Sequence, residues 1–305
     1  MSDHQAAYTS PASGTAVVGL LFAVGSFLIW GLFPIYFKQL ETVPAVEVLA
    51  HRVVWSALFT AGLLTLLGRW RAVVTGLANL RLIATLTLSA GVISLNWGVF
   101  IWAVANDRVL DSSLGYYINP LVSVLLGVVV LQERLRAAQW VALALAATGV
   151  GYEIVGLGEV PWISLTLACS FAAYGLIRKV AKVDPLTGLF IETLIATPVA
   201  VGYLVVVYAT VSGGIEAAGD GRTAVLLVMA GAVTALPLLL FVGAAQRIRL
   251  STLGVLQYIV PTGHFLIGVY VYGEPISHAR LVTFVCIWVA LLIYSLQELQ
   301  ATARG

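Results

Sequence analysis

The four residues Tyr117-Ile118-Asn119-Pro120 occur again, with one change, as Tyr258-Ile259-Val260-Pro261. The copies lie 141 positions apart (258 against 117), and no gap is needed to align further identical pairs at this offset. These pairs are Lys38 with Lys179, Pro44 with Pro185, Arg108 with Arg249, Gly127 with Gly268, and Glu133 with Glu274. The chain is therefore predicted to contain two copies of one unit of about 140 residues.

The composition excludes an ordinary soluble domain. Hydrophobic residues make up 60% of the chain, charged residues only 10%, and the mean hydropathy is +1.00. Several charge-free windows have 20 or more residues, enough to cross about 30 Å of hydrocarbon at about 1.5 Å per residue. We therefore expect an all-α polytopic membrane protein with ten transmembrane helices. The windows are 17–37, 53–68, 82–106, 112–132, 137–152, 160–177, 193–215, 223–246, 250–273 and 281–297.

The distribution of basic residues predicts the orientation. Of the 16 Lys and Arg residues, most fall in loops on the side of both termini, and Arg52 falls inside a span. This excess predicts that both termini are cytoplasmic. Because each copy has an odd number of spans, the copies must cross the membrane in opposite senses, as inverted repeats. The predicted parts are a tail 1–16, repeats 17–155 and 160–297, and a tail 298–305.

Three stretches carry a resemblance to a known family: Trp102 to Pro120, Ala50 to Ser56, and Leu256 to Thr262. They resemble RarD-type transporters, which belong to the EamA-like branch of the drug/metabolite transporter (DMT) superfamily. The resemblance extends over about residues 17–297. It implies a bacterial inner-membrane protein of ten helices, with a central substrate cavity between the halves. It also implies export of small metabolites or drugs.

Two proline-containing faces are the first candidates for the substrate cavity. Proline cannot donate a helix hydrogen bond, so Pro120 and Pro261 are expected to free the carbonyl groups of Tyr116 and Gln257 inside the membrane. Polar groups on kinked, symmetric helices are typical of transporter binding sites. The alternative is that the prolines only curve the helices and glycines only allow close packing. The candidates are Tyr116, Asn119, Pro120, Ser123, Gln257, Tyr258, Pro261 and His264.

Four further residues are secondary candidates for this cavity. Asn96 could hydrogen-bond a ligand, and Trp30, Trp97 and Tyr174 could stack on one, which would suit a planar or aromatic substrate. The alternatives are interhelical hydrogen bonding for Asn96 and ordinary packing or lipid contact for the aromatic side chains.

Four ionisable residues are candidates for a coupling or charge site. His51 and Arg52 lie about 10–12 Å past Pro44, within the hydrocarbon, where an arginine needs a partner or water. Glu47, one helical turn before His51, is expected to pair with either of them. An anion site, a proton-coupling group and a buried structural pair all remain open. If Glu47 lies beside Arg52, Glu192 is the better proton carrier.

Glu133 and its repeat partner Glu274 are expected to be architectural, with a gate as the alternative. Each stands at the end of a span, and each is predicted to bind amide groups at the start of the next helix.

The motifs favour a transporter over other classes of membrane protein. The chain has no H-E-x-x-H, no G-x-S-x-G and no P-loop, which argues against an enzyme and an ATP-driven pump. A membrane-embedded enzyme and a pore-like facilitator remain the alternatives. Neither a cofactor nor a metal site is predicted, and Cys169 and Cys286, inside apolar runs, do not indicate a disulfide. The expected partners are a small-molecule substrate and the lipid bilayer, with no nucleic acid and an open oligomeric state.

Overall fold

The computed structural model describes residues 13–40, 42–105, 109–157, 162–181, 183–210, 221–271 and 278–302. Over these residues the chain is helical and contains no strand. The α-helices are α1 Ser13–Gly31, α2 Phe33–Phe37, α3 Ala45–Leu66, α4 Trp70–Leu77, α5 Leu80–Ala105, α6 Val109–Val129, α7 Ala137–Leu157, α8 Trp162–Val180, α9 Pro185–Thr210, α10 Gly221–Ala245, α11 Leu250–Leu256, α12 Ile259–Tyr270 and α13 His278–Thr302. A 3₁₀ helix, Lys38–Leu40, follows α2.

Eight apolar segments of the described chain are long enough to cross a bilayer. They are Gly14–Leu40, Ala45–Leu66, Leu80–Phe100, Ala137–Gly156, Trp162–Val180, Pro185–Thr210, Gly221–Ala245 and Leu250–Ile267. Two shorter apolar stretches, Gly115–Val129 and Leu281–Ala290, lie within α6 and α13. The chain is therefore an all-helical, multi-pass membrane protein, as predicted from its composition.

The helix boundaries differ from the charge-free windows in several places. α3 begins at Ala45 rather than at position 53, because the helix includes the charged residues that ended the window. The short helix α4, which buries Val73, was not predicted. α1 begins within the predicted first tail and α13 continues into the predicted last tail. Residues 1–12 and 303–305 of those tails, residues 158–161 at the junction of the two predicted repeats, and Glu274 lie outside the described residues.

Helices of the first half pack mainly against helices of the second half. The extensive contacts join α6 with α8, α7 with α13, α3 with both α9 and α10, α1 with α10, α6 with α11, and α5 with α8. Glycine allows several of these approaches. A Cβ atom on Gly231 of α10 would lie 2.3 Å from the backbone of Trp55, and one on Gly263 would lie 2.9 Å from the Cα atom of Gly31. Close backbone contact of this kind is the usual basis of helix association in membranes.

One end of the bundle is closed by polar contacts between distant segments. The Glu133 carboxylate accepts hydrogen bonds from the backbone N–H groups of Leu250 (2.7 Å) and Ser251 (2.9 Å). The Lys179 ammonium group donates to the Ala245 carbonyl at 2.7 Å, at the end of α10. We call this end of the bundle, defined by Glu133, Lys179 and Ser251, the basic end, because it carries Arg134, Arg247 and Arg249.

The predicted role of Glu133 in binding amide groups is therefore correct, but the predicted helix is wrong. It binds amide groups at a helix N-terminus, where the helix dipole favours an anion. That terminus belongs to α11, however, and not to α7, the next helix along the chain. Glu133 thus ties the two halves of the chain together.

Candidate functional site

The two prolines have different local effects. α6 is continuous through Pro120. The span that contains Pro261 is broken: α11 ends at Leu256, and Pro261 is the third residue of α12. The Gln257 carbonyl is not left free, as it accepts the Val260 N–H at 3.0 Å. The prediction of an unpaired carbonyl there is wrong, since a tighter 3₁₀-type bond replaces the missing one.

The Arg52 guanidinium lies deep in the bundle among aromatic rings and retains some accessible surface. Its Cζ atom lies 5.1 Å from the ring centre of Phe37 and 5.5 Å from that of Trp97. Its Nε–H donates to the Thr234 hydroxyl at 2.8 Å. In the part of the chain that the structure describes, no carboxylate lies within 4.0 Å of this guanidinium. The pairing of Glu47 with Arg52 is therefore wrong.

Tyr116, which lies within electrostatic range of Arg52, contacts His264 from the opposite half of the chain. Their rings contact edge to face at 5.7 Å, and the His264 Nε2 atom lies 3.1 Å from the Trp30 carbonyl oxygen. The phenols of Tyr36 and Tyr116 are within electrostatic range of the Arg52 guanidinium. We call the group Arg52, Tyr36, Phe37, Trp97, Tyr116 and His264 the Arg52 site.

The Arg52 site lies nearer the end opposite the basic end. Arg52 and Tyr116 each follow the first residue of their helix, Ala45 or Val109, by seven positions. At about 1.5 Å per residue they are about 10 Å below the start of α3 and α6. Both residues, like His264, are only partly buried.

Glu47 and His51 belong to a separate hydrogen-bonded chain. The Tyr208 hydroxyl of α9 donates to the Glu47 carboxylate at 3.1 Å and lies 3.0 Å from the His51 Nε2 atom. The Trp55 indole N–H donates to the His51 Nδ1 atom at 3.3 Å. These hydrogen bonds link α3 to α9. The Glu47 carboxylate, which was expected to pair with Arg52 or His51, accepts a hydrogen bond from Tyr208.

Glu192 forms a buried ion pair with Arg178. The Arg178 Nη1 atom lies 3.6 Å from the Glu192 Oε1 atom, and the two side chains are 0% and 4% exposed. The Ser89 and Tyr174 hydroxyl groups border the carboxylate. Gly188, one turn before Glu192, makes room for the guanidinium, because a Cβ atom there would lie 2.1 Å from Arg178 Nη1. The reason for preferring Glu192 over Glu47 as a proton carrier is thus wrong, since Glu192 has the arginine partner.

Two other candidates form interhelical contacts in this structure. The Asn119 side-chain amide donates to the Ala168 carbonyl of α8 at 2.8 Å. The Asn96 amide donates to Leu167 and Ser170 of α8, both at 2.9 Å. Ser123 is buried, and its hydroxyl donates to the Asn119 side-chain oxygen within α6 at 3.4 Å.

The remaining candidates are buried or pack in aromatic clusters. Gln257 and Tyr258 are almost completely buried at the break between α11 and α12. Trp30 packs against Phe171 with ring centres 5.5 Å apart, and Tyr174 stacks on Phe241 at 6.3 Å. Of the twelve cavity candidates, the structure brings Trp97, Tyr116 and His264 to the Arg52 site, with the backbone of Trp30 at its edge.

Two internal cavities next to candidate residues are small. One cavity of about 20 Å³ is lined by Val53, Trp97, Tyr174 and Glu192, among other residues. Another of about 10 Å³ lies beside Pro120 and Tyr258. Each of these two has room for about one water molecule, so neither holds a metabolite in this state. The described residues contain no group of three or more His, Cys, Asp or Glu side chains suited to a metal ion.

Sequence reasoning did not identify Tyr36, Thr234, Arg178 or Gly188. Arg178 directly follows the charge-free window 160–177, which predicts a loop residue on the side of the termini, whereas its side chain is fully buried. The repeat offset contained a usable signal, because Arg178 is the repeat partner of Phe37 (178 against 37). Phe37 contacts Arg52 in α3, the second span of the first half. Arg178 contacts Glu192 at the equivalent part of α9, the second span of the second half.

Comparisons with known proteins agree with this architecture. Residues 17–152 match the model of the EamA-like transporter family. An uncharacterized transporter of Vibrio cholerae is 47% identical over 294 residues, covering 96% of this chain and 97% of that protein. Protein RarD of Salmonella typhi is 47% identical over 278 residues, covering 90% and 94%.

A solved crystal structure shares the fold, with a TM-score of 0.65 at 18% identity over 93% of this chain and 98% of the other. At that identity the likeness concerns the fold alone. The RarD relatives cover nearly the whole chain and the family model covers its first half. This chain therefore belongs to the EamA-like transporter family of the drug/metabolite transporter superfamily, as a RarD-type member.

Proposed function

We propose that this transporter exports a small metabolite or drug across the bacterial inner membrane by alternating access. The observation that carries the proposal is the Arg52 site, which joins side chains of α2, α3, α5, α6 and α12 at the interface of the two halves. A site between two halves becomes accessible from either side when the halves rock against each other. Both termini are cytoplasmic in this proposal, so the basic end faces the cytoplasm.

The pattern of helix contacts supports ten spans in two inverted repeats. If each span of one half is exchanged for its equivalent in the other, the contact of α1 with α10 becomes that of α5 with α8. In the same way the contact of α6 with α8 becomes that of α1 with α12. The contacts of α3 with α9 and α6 with α11 are their own equivalents. An approximate two-fold relation between residues 17–155 and 160–297 would produce this pattern.

The burial and contacts of the basic end support a state that is closed toward the cytoplasm. At the basic end Ala245, Leu250 and Ser251 are at most 1% exposed. The Glu133 and Lys179 contacts there connect segments that must part if the cytoplasmic side opens. In this proposal the structure is one end state of the transport cycle, and the opposite state breaks these contacts.

The ionisable groups have separate roles in this proposal. Arg52 is the charge site for substrate. Glu47 and His51 hold α3 against α9 through Tyr208. Glu192 is held by Arg178, so any proton coupling through Glu192 requires that pair to part during the cycle.

Flux measurements test the transporter class. An untargeted comparison of metabolites outside cells with and without overproduction of the protein first supplies candidate substrates. In sealed proteoliposomes, saturable exchange of such a compound is the expected result. Covalent change of the compound would instead indicate an enzyme, and an unsaturable conductance would indicate a pore.

Cysteine accessibility tests alternating access directly. Ser251→Cys, in a chain without its native cysteines, should react with a water-soluble thiol reagent only when the basic end opens, and substrate should change the rate. Thr283→Cys is the matched control, because Thr283 is equally buried but bonds to Gly149 between α7 and α13. Equal, substrate-independent labelling of both positions would contradict the mechanism.

A further inference from the structure

We infer that the Arg52 site binds the carboxylate group of a small aromatic acid, with the guanidinium as the anchor. This inference rests on the proposed transport function and names the class of its substrate. It starts from the electrostatic state of the site. A positive charge inside a membrane protein is costly unless it is paired or hydrated, and Arg52 has no carboxylate partner among the described residues.

The obvious internal partner is held elsewhere. Glu47 is on the same helix as Arg52 and is 9% exposed, yet its carboxylate is bonded to Tyr208. A second deeply buried carboxylate, Glu192, is paired with Arg178. Arg178 is thus neutralised by a carboxylate, whereas Arg52 lies against the π faces of Phe37 and Trp97.

The geometry leaves part of the guanidinium available for a ligand. Thr234 takes the Nε–H, which fixes the orientation of the planar group. Within the described residues no hydrogen-bond acceptor is assigned to the two terminal NH₂ groups, and the side chain retains accessible surface. Terminal guanidinium nitrogens form the fork that binds a carboxylate through two parallel hydrogen bonds.

The aromatic side chains near Arg52 indicate the chemistry of the rest of the ligand. Tyr116, which is within electrostatic range of the guanidinium, contacts the ring of His264 edge to face at 5.7 Å, and both residues are partly exposed. An aromatic ring of a ligand packs well against such faces, and the phenol of Tyr116 can donate to its polar substituents. A ligand that combines a planar ring with one carboxylate satisfies both the walls and the charge.

Matched pairs of probes test the inference on the purified, full-length protein. The acids are benzoate, phenylacetate and indole-3-acetate, each measured beside its neutral primary amide, with phenyl phosphate as a second kind of anion. Thermal stabilisation and titration of tryptophan fluorescence give the affinities. We expect at least one acid to bind about tenfold or more tightly than its amide, because a charged hydrogen-bonded pair is lost with the amide. A stronger response to phenyl phosphate than to every acid would overturn the carboxylate assignment.

Variants then assign the binding to Arg52. Arg52→Gln should weaken binding of the acid by about 10- to 100-fold, and Arg52→Lys, which keeps the charge without the fork, should fall between it and the parent. Arg71→Gln, which removes an exposed arginine of α4, should leave the affinity unchanged. Since the acid and amide comparison uses the parent protein, it remains decisive even if Arg52→Gln does not fold.

Several results would overturn the inference. They are equal affinity for acids and amides, undiminished binding of the acids by a folded Arg52→Gln protein, and the absence of binding by every acid in the panel. Counterflow of the same acid separates this failure from failure of the transport proposal. Binding that depends on Arg52 without any flux would refute transport alone. Saturable flux of a neutral compound, unaffected by Arg52→Gln, would refute the anion site alone.

Discussion

Replacement of Gly188 by alanine tests the buried ion pair without changing a charged residue. The added Cβ atom would lie 2.1 Å from Arg178 Nη1 and 2.5 Å from Nη2, so the guanidinium must leave its position beside Glu192. Gly188 is buried in the middle of close contacts. Gly202, on the same helix, is exposed, and a Cβ atom added there would have nothing within 4 Å. Gly202→Ala is therefore the matched control.

The expected magnitude follows from two opposing terms. Alanine in a helix interior is favoured over glycine by about 0.5–1 kcal/mol. Breaking a buried ion pair costs about 3–5 kcal/mol when a charge is left without its partner. We therefore expect Gly188→Ala to lower the free energy of unfolding by about 2–4 kcal/mol, while Gly202→Ala leaves it unchanged or raises it by up to about 1 kcal/mol.

Thermal unfolding of the purified protein in detergent, followed by circular dichroism, measures the difference. At about 2 °C per kcal/mol, the melting temperature of Gly188→Ala should fall by about 4–8 °C. In an Arg178→Ala/Glu192→Gln background the same glycine change should no longer destabilise the protein, because the pair it disrupts is absent. A melting temperature of Gly188→Ala at or above that of Gly202→Ala would refute the reasoning.

Three other predictions concern accessibility, coupling and topology. In a chain whose native cysteines are replaced, His264→Cys should react with a small water-soluble thiol reagent and be protected by substrate, whereas Ser123→Cys, 4% exposed in the parent, should stay inert; the reverse order of reactivity would contradict the placement of the Arg52 site. Under proton coupling, Glu192→Gln should abolish uphill, pH-driven transport and still allow exchange without a gradient, with a loss of stability from the unpaired Arg178; uphill transport equal to the parent's would exclude Glu192 as the coupling group. A reporter active only in the periplasm, fused after Gly305, should be silent, and strong activity would reverse the orientation.

The sequence alone determined the features that depend on local composition. A membrane span requires a run of apolar residues, so the ten windows were visible as gaps between charges, and the described helices follow them in order. The family resemblance and the matching residues at an offset of 141 positions are also properties of the linear chain. The position of Arg52 inside a span followed directly from its neighbours in the sequence, as did the need for something to stabilise it.

Only the tertiary structure decided which partner each polar group has. Arg178 lies at the end of its span, which suggested a loop residue, but the fold turns it inward onto Glu192 and into the space left by Gly188. Glu47 is one turn from His51 in sequence, yet Tyr208 lies between them as their shared partner. Helical spacing specifies which residues share a face and does not specify which helix covers that face.

The break between α11 and α12 was also not fully predictable from the sequence. The proline in the sequence predicted lost helix hydrogen bonding there, whereas the fate of the Gln257 carbonyl depended on a local 3₁₀ rearrangement. Glu133 accepts hydrogen bonds from the amide groups of α11 and not from those of α7, because packing of the two halves brings Leu250 and Ser251 close to it. Contacts between segments more than 100 residues apart arise from how the two halves associate, and no local sequence pattern contains that information.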